Sequence, residues 1–551
     1  MKETIEKLIN TALEELGIEK PKQFNIEHPT NLEFGDYSTN IGIITGKTEE
    51  IAKHLEVKLP SEIEKIEVRA GFINFYLSKE FFAESLETII KEGEGFGRSD
   101  KLKGEKVMVE YTDPNVMKPF HIGHLMSNSI GEALSRLIEW NGASVIRANY
   151  YSDIGLNIAK AVWGMSQKKE EFPTENSSNV EKAKFLGDCY VLGVKKSAED
   201  ESVAEQIVEI NKKVFSRSDE EVNRFYDLGK KWSLGYFTEL YERLGSNFDW
   251  LVGESEVAED GKKVVLEFLE KGVFEESDGA VVFKGEKYNP KLHTRVFINS
   301  EGLPTYEAKE IGLTKKKFEK YELSKSFVIT GNEQNDYFKV VLEALRQIDS
   351  KIADTTKHLP HGMLRLPTGK MSSRTGDVIT AESLIEEVKK IINEKGQRAT
   401  DDIAVAAIKY TILKQGIGND IIFDFEKSIS TEGDSGPYLQ YTYARTNSLL
   451  EKANSQGRTL STDSQDSTFR PVEKLLYRFP EVVERAGEEY APQHITTYLI
   501  ELSSAFNNFY AHEQVISDDP ETPYRLAIVK AMNIIIKNGL NILGIPTPER
   551  I

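Results

Sequence analysis

The chain has 551 residues, enough for several domains and for sizeable cores. Its formal net charge of −19 argues against nucleic-acid binding by bulk charge, while leaving room for local basic clusters. The single cysteine, Cys189, excludes a disulfide within one chain and a cysteine-based zinc site, and no apolar run approaches the length of a membrane span.

In chain order, Met1-Lys2-Glu3-Thr4 opens directly on an amphipathic helix predicted through Leu16. There is no signal-peptide pattern, so a cytoplasmic location is expected. A polar loop over 31–40 and a strand over 71–77 complete a small α/β domain, 1–96. Phe34 and Tyr37 in that loop are candidate base-stacking residues. A Gly- and charge-rich linker leads to a buried strand over 106–111, a turn at Thr112-Asp113-Pro114-Asn115, a helix over 122–141 and a strand over 144–149. This is a β-α-β unit whose crossover should be right-handed. A polar helical insertion is expected near 166–224.

His121-Ile122-Gly123-His124 falls at the start of the 122–141 helix. Free N–H groups and the helix dipole favour anions there, and two imidazoles add donors for a triphosphate. Gly123 would let a nucleotide approach the backbone. Further on, Tyr306 and Glu310 stand one helical turn apart on one face. Gly331-Asn332-Glu333-Gln334 follows a strand over 327–330. An apolar segment over 359–366 precedes Lys370-Met371-Ser372-Ser373-Arg374, a basic, glycine-flanked loop able to hold the β and γ phosphates as pyrophosphate leaves. Helices over 383–393 and 403–414 form a connecting stem, 377–423. From about Asp424 the chain reads as all helix. Ser435 is a cap, Tyr438 and Tyr441 with Arg445 form an aromatic stripe, and Leu526, Val529, Met532, Ile536, Leu540 and Leu543 form a later apolar face.

The two motifs, in this order, resemble the paired ATP-site signatures of class I aminoacyl-tRNA synthetases, and the surrounding residues resemble arginyl-tRNA synthetases. The resemblance covers nearly the whole chain and is weakest in the insertion. It implies an α/β fold: a Rossmann-type class I catalytic domain over 104–376, a small N-terminal tRNA-binding α/β domain, and an all-helical C-terminal anticodon-binding domain over 424–551. It implies an arginine–tRNA ligase that forms arginyl-adenylate from L-arginine and ATP, with Mg2+ carried by the nucleotide. Arginine then passes to the terminal adenosine of tRNA(Arg). No zinc, no membrane and no editing domain are expected, and the chain should be a monomer.

By the same resemblance, His121, Gly123, His124, Met363, Lys370, Met371, Ser372 and Ser373 contact ATP. Glu110, Tyr306, Glu310 and Gln334 would meet the guanidinium, Asn115 would hold the α-amino end, and His124 would also bind arginine. The family usually has aspartate where this chain has Glu310. Phe34, Tyr37, Tyr438, Tyr441 and Arg445 would meet tRNA. Serine at 373 replaces the lysine of the general Lys-Met-Ser-Lys-Ser pattern, which raises the stake on Lys118, just before the first motif, with Arg374 as the alternative cation. Lys118, His121, His124, Lys370 and Arg374 are thus the expected catalytic set. Three rival readings are weaker. A small-molecule nucleotidyltransferase needs neither terminal domain. A nonenzymatic tRNA-binding paralogue would be expected to lose the motif histidines. A cysteinyl sister enzyme would need zinc ligands.

Overall fold

The computed structural model describes residues 1–367, 379–464 and 469–551. The helix Lys2–Glu15 buries Ile5, Ile9, Ala12 and Leu13, the i, i+4, i+7, i+8 spacing of one helical face. It belongs to a domain whose antiparallel sheet runs in the order Ile26–Glu27, Tyr37–Thr39, Phe72–Leu77, Ile63–Arg69. Two of these strands have only two or three residues, too short to show a period of two.

Among the described residues the central sheet has five strands, all parallel, in the order Thr356–His361, Lys325–Gly331, Lys106–Glu110, Ser144–Tyr151, Trp250–Gly253. Chain order therefore runs outward in one direction from Lys106–Glu110 and then resumes on its other side. That makes a topological switch point between Lys106–Glu110 and Lys325–Gly331, where open parallel sheets bind ligands beyond the carboxyl ends of their strands. Ser127 Oγ on the Ile122–Trp140 helix donates to the Ile329 carbonyl at 2.8 Å, fixing that helix beside the switch point.

Between Ser144–Tyr151 and Trp250–Gly253 lie four α-helices, Leu156–Gln167, Asn179–Glu199, Glu201–Ser216 and Glu220–Leu244. This block is longer than the 166–224 insertion read from polarity. The reason is that its first and last helices are amphipathic and buried on one side, by Ile158, Ala161 and Val162 and by Phe225, Phe237 and Leu240.

The C-terminal part is helical as expected. Ser435 Oγ accepts from Tyr438 N at 3.1 Å and caps Gly436–Ser455. The apolar face of Thr522–Ile542 is fully buried and packs against the Ile122–Trp140 helix. Arg136 on that helix donates to the Asn541 carbonyl at 3.1 Å and to Asn541 Oδ1 at 2.9 Å. No described helix is long and apolar enough to cross a membrane.

Candidate active site

A cavity of about 500 Å³ opens at the switch point. It is lined by Glu110, Asn115, His121, Gly123, His124, Tyr306, Glu310 and Gln334, so the first motif and every residue expected around arginine come together. Met363 does not line it. That residue is 43% exposed, with its backbone N–H on Asp420 Oδ1 at 2.8 Å. Lys370, Met371, Ser372, Ser373 and Arg374 lie outside the described residues.

The first motif is built differently from the expectation of free N–H groups. His121 is the N-cap, and its Nδ1 accepts from Gly123 N at 3.1 Å and His124 N at 3.3 Å. His124 Nδ1 accepts in return from His121 N at 3.3 Å, and Ile122 N donates to the Ile379 carbonyl at 3.1 Å. The first N–H groups of the helix are therefore already used. An Nδ1 that accepts leaves the ring proton on Nε2. Burial, then Lys118, keeps His121 below the usual histidine range. Burial, then His121 and Lys118, depresses His124 further. Both rings are neutral near pH 7 and stack with centroids 3.6 Å apart. The motif thus offers two neutral Nε2–H donors in place of a backbone anion nest. Gly123 has a local reason as well: a Cβ there would lie 2.9 Å from His121 Cε1, inside the ring that caps the helix.

The loop into this helix holds Thr112, Asp113 and Met117 at φ of 81°, 44° and 58°. Left-handed backbone at non-glycine residues persists only where surroundings enforce it. Here Thr112 N donates to Ser127 Oγ at 2.9 Å, Val116 N to the Ser152 carbonyl at 3.0 Å and Met117 N to Ser233 Oγ at 2.8 Å. These bonds hold Asn115 at the cavity. Lys118 is half-buried, its ammonium 4.6 Å from the Tyr190 ring centre, and burial lowers its pKa. It does not line the cavity, yet its charge reaches both motif histidines.

Among the described residues six carboxyl groups line the cavity, those of Glu110, Asp113, Glu254, Glu307, Glu310 and Glu333. Arg295 is the one arginine or lysine among its described lining residues. Part of this charge is answered from behind. Glu110 pairs with Lys317, Glu307 with Arg295 at 2.9 Å, and Glu254 with Lys309. Lys317 was missed in the sequence, although it stands seven residues after Glu310 on the same helical face. Burial, then the neighbouring Glu110 charge, raises the Glu310 carboxyl. Asp113 is raised for the same two reasons. An acidic site of this kind favours a cation, which relieves the repulsion among its carboxylates.

Residues 86–425 match the family described as tRNA synthetases class I (R), catalytic domain. Residues 3–77 match the arginyl tRNA synthetase N terminal domain, and 439–551 the DALR anticodon binding domain. The chain is 33% identical over 590 aligned positions to an arginine–tRNA ligase of Treponema denticola, covering 100% of this chain and 99% of that one. The chain belongs to the arginyl-tRNA synthetase family. A second member, from Halothermothrix orenii, is 30% identical over 577 positions, covering 100% and 99%. The solved Thermus thermophilus arginyl-tRNA synthetase superposes with a TM-score of 0.79 at 23% identity, covering 100% of both chains. The Plasmodium falciparum enzyme does so at 0.75 and 19%, covering 100% and 99%. At such identities these likenesses speak for the fold. Family members are ligases that join arginine to tRNA in protein synthesis, and class I synthetases use ATP.

The residues expected at tRNA divide. Tyr37 is 1% exposed, and its hydroxyl donates to Glu481 Oε1 at 2.6 Å. Its ring packs on His28 and Tyr477, at the contact between the N-terminal domain and the C-terminal helices. A ring so enclosed cannot stack on a base, which corrects that expectation. Phe34 is half-buried under the Arg69 guanidinium at 4.1 Å. Tyr441 is 41% exposed with Arg445 4.7 Å from its ring centre, and Arg445 also reaches the exposed Tyr510 ring at 5.0 Å. Asn507 holds this group together, accepting from Arg445 at 2.5 Å and donating to the Tyr438 hydroxyl at 2.8 Å.

Proposed function

We propose that this chain activates L-arginine at the switch-point cavity and transfers it to the terminal adenosine of tRNA(Arg). The observation that carries the reading is an acidic cavity lined as well by two neutral imidazole donors. Glu110, Glu310, Tyr306 and Gln334 receive the guanidinium, whose planar fork suits carboxylates and amide or phenol oxygens. Asn115 and His124 face the α-amino end. An arginine carboxylate oxygen attacks the α-phosphorus of ATP in line, forming the mixed anhydride and expelling pyrophosphate. Mg2+ enters with the nucleotide as part of the substrate. A ribose hydroxyl of tRNA then attacks the carbonyl, and AMP leaves.

The His121 and His124 Nε2–H groups stabilise the charge that builds on the phosphates, with Lys118 supplying the nearby positive field. Catalysis is positioning and preorganised electrostatics, without a general-base triad. The exposed Tyr441–Arg445–Tyr510 group is proposed to meet the anticodon loop by stacking. The test is aminoacylation of total tRNA with each amino acid in turn. Charging with arginine supports the reading, and preference for any other amino acid ends it.

A further inference from the structure

The strand Ser144–Tyr151 delivers Tyr150 to the cavity wall, and Tyr150 N donates to Asp113 Oδ1 at 2.8 Å. The Tyr150 hydroxyl oxygen is shut away from solvent and hydrogen-bonds to none of the described residues. Other buried or half-buried tyrosines near the cavity are satisfied: Tyr111 donates to Glu132 at 2.6 Å, Tyr226 to Asp153 at 3.0 Å and Tyr337 to the Tyr306 carbonyl at 3.1 Å. Buried hydroxyls are almost always paired, so an orphan on the wall of a cavity points to a partner that enters the cavity. The groups that surround it name the kind of partner. Glu254, Glu310, Tyr337 and Glu110 line the same cavity wall as Tyr150, and their charges act on its hydroxyl.

We propose that Tyr150 is a specificity-determining residue of the arginine site, its hydroxyl oxygen accepting an N–H of the bound guanidinium. This rests on the arginine reading above. A phenol at this place stays neutral, because burial and then the surrounding carboxylates oppose its ionisation. Its oxygen can therefore accept from the substrate. A guanidinium has five N–H donors in one plane, more than two carboxylates absorb, and a neutral acceptor beside them serves the remainder. An ammonium directs its three donors from a single point and makes poorer use of it.

The test is Tyr150→Phe in the full-length protein, which removes one oxygen and no ring. The free protein should keep or slightly raise its thermal midpoint, since no protein partner is lost. The arginine KM should rise about tenfold, the scale of one hydrogen bond to a charged group. The ATP KM should stay put, and selectivity for arginine over lysine should fall. An unchanged arginine KM, an equal rise for ATP, or a clearly lowered midpoint would each overturn the assignment. Wild-type protein assayed alongside separates the two claims. If it charges arginine while Tyr150→Phe is indistinguishable from it, only the role of Tyr150 falls. If it does not charge arginine, both fall.

Discussion

The Lys317 ammonium lies 2.7 Å from Glu110 Oε2, and neither side chain is more than 1% exposed. The ammonium holds Oε2, which leaves the second carboxylate oxygen for the cavity that Glu110 lines. Under the proposed function Glu110 has two jobs, and a single substitution disturbs both. Glu110→Gln strands a buried ammonium and should lower stability by about 3–5 kcal/mol, the range for breaking a buried pair from one side. Denaturant titration measures this. The double variant Glu110→Gln with Lys317→Met removes both charges and should recover most of the loss while still binding arginine weakly. Equal stability of Glu110→Gln and the double variant would mean that the pair is not formed.

The raised carboxyl of Glu310 sets a pH dependence. In the empty site Glu310 holds its proton to higher pH than an ordinary glutamate, because of burial first and Glu110 second. A guanidinium binds the ionised form better, so binding must expel that proton, and expulsion is easier as pH rises. The arginine KM should fall from pH 6.5 to pH 8.5, with the ATP KM moving much less. Glu310→Gln should flatten the trend. A KM for arginine that rises with pH would contradict the account.

The motif histidines should behave as neutral donors. Both are held below the usual histidine range, by burial first. Activity should therefore show no loss of a catalytic cation as pH rises through 6.5. For stability the sign is the reverse of a salt-bridged histidine. A depressed folded pKa gives a contribution that is complete above the unfolded value near 6.5 and is lost as pH falls toward the folded value. His124→Asn, which cannot put a donor where Nε2 lies, should lower kcat for adenylate formation by about two to three powers of ten, the scale of one preorganised donor. A fall confined to the arginine KM would assign His124 to binding alone.

Lys118 is a described cation whose charge reaches both rings. Lys118→Ala should reduce kcat by roughly 10² to 10³ with little change in arginine affinity, because the charge it answers develops in the transition state. Ser373→Lys in that background should restore part of the rate. Near-normal turnover of Lys118→Ala, with Arg374→Ala inactive, would move the role to Arg374.

Local signals in the chain carried the framework, and long-range pairing decided what they missed. The helix after His121 was legible because its stripe repeats over nineteen residues. The strands Ile26–Glu27 and Tyr37–Thr39 were not, because they are held by neighbours rather than by their own pattern. Glu110, Asn115, Tyr306, Glu310 and Gln334 were placed by their order along the chain, and the switch-point topology brings them to one cavity. Tyr37 was misread because its partner, Glu481, lies 444 residues away. The filling of the first N–H groups by His121 and His124 depends on ring orientation, which residue type does not specify. Lys317 and Tyr150 carry no motif of their own: one is legible only as a counter-ion, the other only as an orphan hydroxyl.

We propose that the acidic cavity selects arginine for transfer to tRNA. The most direct measurement is aminoacylation of total tRNA by the full-length protein with each amino acid supplied singly, with ATP and Mg2+ present. Arginine should be charged at a kcat/KM far above any other amino acid, with lysine poorly used for want of a planar fork. Charging of lysine or of a neutral amino acid at a kcat/KM equal to or above that of arginine would contradict it.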